Sequence, residues 1–404
     1  MQNRFLYFLA GVSLLWVAAS LIYERGNPRP DFAHDYAAGL LVRTGQSRLI
    51  YSMDRSPGSD PTTMPREVLD AMRASGYDGP YVTRFFSHPF YAILMVPLSF
   101  LPYYPASIIF LGLQLALLGL MLLALFRGRE PWQAALGLAV ALLFYPARHG
   151  LEIGQATGFL IPVAGYFILR PQKAISQVGL ALGFLLKPAL ILLPILFLTE
   201  RKWRGLLVFT GAWLLASVAA ILALGKDIFL QYLGLVFERV SLLYIGVDMQ
   251  SALAVLYRIF VGTSEHAETT TALLAVPLWL RAINWAWIGV VLGLTAWRLW
   301  RTRNQAWRGN ILLLASLLVI PFASTHYFGL ALVPLLFLTL TRARPLAYLL
   351  AGAGFLLLEI PRAYYAGGPI LRFLCVNLFL GALLLFASYL LGPKRSPAFN
   401  QEPS

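Results

Sequence analysis

Runs of Leu, Ala, Val, Ile and Phe long enough to cross a bilayer, roughly 20 residues each, recur along nearly the whole of this chain. They leave few ways for it to fold. In lipid, every backbone N–H and C=O must find its partner inside the protein, so only helices and closed barrels can span. A lipid-facing barrel strand alternates apolar and polar residues, and these runs do not. The sequence therefore reads as an all-α polytopic membrane protein. Composition agrees: 59% of the residues are apolar and 12% are charged, against about a quarter charged in a soluble domain.

The net charge of +14 could suit nucleic acid. The Lys and Arg residues, however, sit in short clusters between the apolar runs, as they do in cytoplasmic loops. The lipid bilayer is thus the expected partner and nucleic acid is not. The clusters are Arg4; Arg127 and Arg129; Arg170 and Lys173; Arg201, Lys202 and Arg204; Arg298, Arg301, Arg303 and Arg308; Arg342 and Arg344; Lys394 and Arg395. If all lie inside, an even number of crossings separates neighbours. Paired runs at 131–147 and 154–169, at 310–324 and 326–341, and at 345–361 and 369–391 meet that demand. The loop-charge rule then gives roughly twelve transmembrane helices with both termini inside, in the inner (plasma) membrane. The first run, 5–23, lacks a small-x-small cleavage site before Glu24 and reads as a retained anchor. Residues 1–393 form a single transmembrane domain on this reading, and 394–404 a disordered cytoplasmic tail. The one cysteine, Cys375, excludes a disulfide within the chain and reads as a small buried apolar residue.

Two long segments, 24–90 and 225–276, are left outside. In the first, Phe32, Ala38, Leu41 and Val42 recur at helical spacing, which predicts a short helix lying on the membrane surface. The stretch 64–74 predicts a second short helix, and 56–65, rich in Pro, Ser, Gly and Asp, a loop. Between Lys173 and Arg201 there is too little chain for two full spans, and Lys187-Pro188 stands in the middle. Two half-length helices meeting at Lys187 satisfy both constraints, because proline breaks a helix and irregular backbone at membrane depth lines cavities.

Charged groups at membrane depth are costly and usually mark function. On this topology Asp31, Asp35, His88, Arg148, His149, Glu152, Lys187, His326, Glu359 and Arg362 all fall at outer helix ends. Each also has a plain structural reading. Asp31 can cap a helix, Asp35 can be a solvated helix residue, His88 an interfacial one and His326 a packing residue. Arg148 and Glu152 can satisfy each other within R-H-G-L-E-I-G-Q at 148–155. The glycines of 111–120 suggest helix packing. No phosphate-binding loop, zinc motif or hydrolase elbow is present, and no cofactor or metal is expected.

Taken in order, six segments resemble glycosyltransferase family 87, a multi-spanning group of GT-C architecture. D-F-x-x-x-Y-x-A-G from Asp31, followed by L-x-Y ending at Tyr51, resembles the family's first outer loop. F-S-H-P-F-Y from Phe86 resembles its aromatic-proline entry to the second span. Gly154-Gln155 resembles a G-Q-x-N motif, with Thr157 in the Asn position. Lys187-Pro188 and the later R-K-W-R resemble its broken-helix region. Gln250-Ser251-Ala252-Leu253 resembles N-Q-S-L, with Met249 for Asn, and S-x-x-H-Y at 324–327 a late histidine motif.

The resemblance implies an inverting transfer of a hexose or pentose, mannose foremost, from a polyprenyl-phosphate donor to an envelope glycolipid or glycan acceptor on the outer face. It implies Asp31 as the base that takes the acceptor proton, with Asp35 in reserve, since Asp35 stands where the family carries an aromatic residue. Lys187, His326 and Arg148 are then candidates for the leaving phosphate. Gln155, His149, Gln250, His88 and Tyr36 are candidates for sugar and acceptor contacts. A transporter or flippase remains the alternative, because broken helices also mark transporters, although the two halves show no symmetry. A non-catalytic scaffold needs no ordered set of outer polar motifs.

Overall fold

The computed structural model describes residues 11, 29–53, 63–241, 243–245, 249–260, 272–274, 276–341, 343–360 and 376–393. The run 5–23, most of the loop 56–65, Arg342, Arg362, Cys375 and the tail 394–404 lie outside the described residues. Seventeen α-helices are present among the described residues. In chain order they are α1 Pro30–Arg43, α2 Arg66–Ala74, α3 Pro89–Met95, α4 Tyr103–Phe126, α5 Pro131–Leu143, α6 Tyr145–Glu152, α7 Thr157–Leu169, α8 Ala174–Leu186 and α9 Ile195–Thr199. There follow α10 Trp203–Leu224, α11 Lys226–Ser241, α12 Ala252–Phe260, α13 Leu278–Arg301, α14 Gln305–Val319, α15 Leu332–Thr339, α16 Pro345–Glu359 and α17 Asn377–Leu391. A small antiparallel ribbon joins Leu243–Ile245 to Ala272–Leu274.

Local chemistry sets many of the helix starts. Proline occupies the first or second position of α1, α3, α5, α6 and α16, where its missing N–H costs nothing. His88 caps α3 by accepting from Phe90 N at 3.1 Å. Asn304 caps α14 by accepting from Trp307 N at 2.9 Å, and Glu130 with Gln133 forms a capping box on α5.

Three helices, α4, α10 and α13, are each long and apolar enough to cross a bilayer, and the pair α5–α6, bent by 57°, passes the same test together. The bend falls just before Pro146, where proline withholds a donor and crowds the preceding turn. Shorter apolar helices follow at 157–169, 174–186, 188–199, 325–339, 345–359 and 377–391, within a few residues of most of the expected runs. Among the described residues three helices, or four with the bent pair, meet that test, so the roughly twelve crossings that loop charge suggests are not confirmed. Large apolar side chains are exposed along these long helices, among them Leu120 and Leu123 of α4, Leu215 and Leu222 of α10, and Val290 of α13. So extensive an apolar surface belongs in lipid.

The interior is split between two hydrophobic clusters. The larger is built on the second half of α4, on α7 and α8, and on α14 to α17. In it Gly354 and Gly381 let α16 and α17 close to backbone contact: a Cβ on Gly354 would stand 2.7 Å from Gly381 O. Gly112 and Gly119 of α4 do not serve as the sequence suggested, because a Cβ at either would meet nothing within 4 Å. The smaller cluster joins α1, α2, α3, the start of α4 and the buried side of α11. Here α1 departs from expectation. It does not lie on a membrane surface, since every residue from Phe32 to Leu41 is buried. Its small residues Ala33, Ala37, Ala38 and Gly39 let α3 press against it, and a Cβ on Gly39 would stand 2.6 Å from Met95 C.

The bundle has a polar end at each pole. Helix α8, 13 residues between the flanking Lys173 and Lys187, is about 20 Å long. Helix α7 ends and α14 begins beside the basic linkers, and their opposite ends approach residues 155 and 320. At the basic pole Lys202 Nζ meets Glu200 Oε2 at 2.6 Å and Gln305 Oε1 at 2.6 Å, and Arg308 Nη1 meets Glu200 Oε1 at 3.4 Å. Gln172 Nε2 also donates to Gln305 Oε1 at 3.4 Å, so three basic linkers distant in sequence converge there. The other pole holds the residues described next.

Candidate active site

The site is founded on a turn that requires glycine. After α6 the chain reverses at Gly154, whose φ of +76° lies in the left-handed region. A Cβ there would stand 2.6 Å from Phe32 Cβ and 3.2 Å from Arg29 Cβ. The first turn of α1 is thereby laid directly on residues 153–155, and Asp31 N donates to Ile153 O at 3.1 Å. Arg29 anchors the same turn from the other side. Its Nη1 donates to Ser107 O at 3.0 Å, and its carbonyl accepts from Tyr103 OH at 2.8 Å. Gln155 is held through its backbone, with its N–H donating to Gly150 O at 2.8 Å and its carbonyl accepting from Gln114 Nε2 at 2.9 Å.

From this footing a polar chain crosses the seam between the two hydrophobic clusters. Gln155 Nε2 donates to Asp31 Oδ2, and Gln155 Oε1 accepts from Lys187 Nζ. Lys187 Nζ lies 3.2 Å from His326 Nε2, and Ser324 Oγ lies 3.0 Å from the same ring. The ammonium is also 5.2 Å from the centre of the Tyr327 ring, within cation–π range. Lys187 reaches this position because the residue before a proline avoids helical backbone: it is extended, with φ −156° and ψ 138°, between α8 and a short 3₁₀ turn at Pro188–Leu190. The predicted break at Lys187 is thus present. The turn that carries His326 is fixed just ahead of it, by an isolated bridge between Met249 and Ser324 and by Gln250 N donating to Ala323 O at 2.6 Å.

The structure accordingly joins Asp31, Gln155, Lys187 and His326, and brings the Gln250 segment alongside. Asp31 is not the helix cap: Arg29 holds that position, Pro30 begins the helix, and Asp31 is its second residue, half-buried. Asp35, one turn on, is not solvated but 1% exposed. It accepts from Tyr91 OH at 2.8 Å and lies 3.2 Å from His34 Nε2, whose Nδ1 meets Thr83 Oγ1 at 3.0 Å. Tyr36 is buried among Phe32 and Tyr103 and donates to Leu101 O at 2.7 Å. His88 is buried rather than interfacial, with Ser217 Oγ 3.2 Å from its Nε2 and Tyr232 against its ring. Arg148 pairs with Glu152 at 3.0 Å, and His149 stacks on Tyr145 at 5.6 Å between ring centres. Glu359 accepts from Tyr145 N at 3.1 Å.

Two contributors escaped the sequence reading. Gln114 is 0% exposed in the middle of α4, and its signal was a polar amide inside an apolar run. Tyr91, which holds Asp35, gave no signal apart from its place in an aromatic segment. A separate cavity of about 500 Å³ opens between the segment that precedes α3 and α11, bordered by Tyr51, Arg84, Gln231 and Leu235. Burial, with Tyr232 beside it, pushes the Tyr51 phenol well above its ordinary value. None of the residues in the Asp31 chain borders that cavity. Among the described residues no three His, Cys, Asp or Glu side chains group to hold a metal. Chemically, the chain offers a carboxylate that can take a proton and cationic nitrogens that can hold an anion, separated by one amide.

A family model for glycosyltransferase family 87 matches residues 85–325, more than half of the chain. The match takes in Gln155 and Lys187, while Asp31 lies ahead of it and His326 follows its last residue. No curated protein and no solved structure matches the sequence. With the matched region running from the loop before α3 to the turn that carries Ser324, this chain belongs to glycosyltransferase family 87, the family of a membrane glycosyltransferase.

Proposed function

We propose that the protein transfers a hexose or pentose, mannose foremost, from a polyprenyl-phosphate donor to a hydroxyl of an envelope glycolipid or glycan, at the extracytoplasmic face and with inversion. The observation that carries this reading is the link from Asp31 through Gln155 to Lys187 and His326. Two hydrogen bonds and one amide span no more than about 8 Å, room for a sugar carbon between a base and a leaving group. In the reaction the acceptor oxygen forms its bond to the anomeric carbon as the bond from that carbon to the phosphate oxygen breaks. Asp31 takes the acceptor proton. The departing polyprenyl phosphate keeps the bonding electron pair, and Lys187 with His326 holds the charge it gains. Donors fixed in advance, in a site poor in water, stabilise such charge strongly. Gln155, which now satisfies both partners, is placed to follow the substrate hydroxyls.

The sidedness rests on charge. Lys202, Arg303 and Arg308 gather at the pole opposite to Asp31, and basic clusters mark the cytoplasmic side. A transporter reading draws on the break at Lys187 and is an outcome of the same test. Membranes bearing wild type or Asp31→Asn are given radiolabelled polyprenyl-phosphate sugars and an envelope lipid extract. Transfer from one donor, reduced at least about 100-fold in the variant, is expected. Undiminished transfer by a folded Asp31→Asn protein removes the base from the mechanism. No transfer by wild type from any donor transfers support to transport.

A further inference from the structure

At the basic pole a cleft of about 440 Å³ is bordered by Glu200, Trp300, Thr302, Arg303, Gln305 and Arg308. Its charge is predominantly positive: Lys202 and Arg308 share the single carboxylate of Glu200, while Arg303 is exposed at the rim. Two donors remain unused. Thr302 is 6% exposed, and its hydroxyl has no hydrogen-bond partner among the described residues. Arg308 Nε is likewise buried without an acceptor among them. A buried hydroxyl and a guanidinium nitrogen without partners are costly to keep, and both are accounted for by an acceptor-only ligand. The N-terminus of α14, 15 residues long, opens at the same cleft and adds its positive end.

The surroundings indicate where such a ligand comes from. Trp203, Trp297 and Trp300 are 59%, 41% and 85% exposed around this pole, an aromatic belt of the kind that sits at headgroup level. Exposed apolar side chains of α13, Leu292 and Leu294, continue from it along the helix. We propose that this cleft binds the phosphate headgroup of an anionic phospholipid, with its acyl chains along α13. Arg303 and Arg308 meet the phosphate, Thr302 donates its hydroxyl to it, and Trp300 covers the glycerol. The site is independent of the transfer chemistry, since it lies at the opposite pole from Asp31.

The test reads tryptophan fluorescence of the full-length protein in phosphatidylcholine nanodiscs doped with dibrominated phosphatidylglycerol or dibrominated phosphatidylcholine. The anionic probe is expected to quench at a several-fold lower mole fraction, and Trp300→Phe to remove that excess. Arg303→Gln should cut the preference about fivefold, the effect of one cation near an anionic lipid surface, whereas Arg303→Lys keeps it. Thr302→Val, nearly the same shape, should weaken it without lowering the melting midpoint in pure phosphatidylcholine. Equal quenching by the two lipids overturns the proposal, as does a preference indifferent to Arg303→Gln. Displacement of the anionic probe by millimolar inorganic phosphate overturns it too, by assigning the cleft to free phosphate.

Discussion

Replacing Gly154 by alanine tests whether the site depends on the seating of α1. The new methyl group has two separable effects. Alanine at φ +76° pays the left-handed penalty of about 1–2 kcal/mol. In addition its Cβ would stand 2.6 Å from Phe32 Cβ, about 1 Å inside comfortable contact between carbons. Phe32 is 0% exposed and packed against Tyr103 and Phe110, so it cannot turn aside. The first turn of α1 must lift instead, carrying Asp31 away from Ile153 O and Gln155. If Asp31 is the base proposed above, a displacement near 1 Å costs on the order of 100-fold in rate. The control is Gly76→Ala, with φ +90° but open space where the Cβ would go. Both variants should lose a similar increment of melting midpoint in detergent from strain. Only Gly154→Ala should also lose about 100-fold in kcat for sugar transfer, with donor KM changed far less. Equal kcat in the two variants would refute the seating argument, because strain without displacement would then account for everything.

Further outcomes follow from the same geometry. Lys187→Met should lower kcat by at least about 100-fold, and steady-state transfer at saturating donor checks it. Gln114→Leu removes the donor to Gln155 O and should cost about 1 kcal/mol of stability while leaving the preferred donor unchanged, as thermal unfolding and a donor panel would read. Tyr91→Phe takes one partner from the buried Asp35 and should destabilise by about 1–3 kcal/mol. Transfer per folded molecule should hold; a changed pH–rate profile in that variant would instead give Asp35 a part in the chemistry.

Much of the helical layout was legible because lipid leaves no other option. The apolar runs and the basic clusters between them foreshadowed the helices at 157–169, 325–339 and 345–359 to within a few residues, and the end of that at 377–391. Lys187-Pro188 announced its own break, since proline acts on the residue before it. The burial of α1 was not legible from periodicity, because apolar spacing does not say whether lipid or protein covers the face. Its small residues, from Ala33 to Gly39, carried that information. Pro30 already implied that Asp31 would fall inside the helix rather than cap it. The motif order pointed to Asp31, Gln155, Lys187 and His326, but not to Gln155 as the connector between carboxylate and ammonium. That pairing reaches across 124 and 32 residues, and depends on how α4, α6 and α8 pack. Likewise nothing local distinguished Asp35, held by a tyrosine 56 residues away.

The polar chain across the seam also sets a timetable for biosynthesis. Asp31, Gln155 and Lys187 enter the membrane early, but His326 follows Lys187 by 139 residues. At about 5–20 residues per second, the ammonium waits roughly 7–28 seconds for its imidazole neighbour. On the proposed mechanism, a nascent chain in that interval holds the base without the full anion-holding pair and is inert toward the proposed lipid-linked donor. The same mechanism makes competence wait until the turn before α15 docks, so the late helices would be the step at which the newly made protein becomes a catalyst.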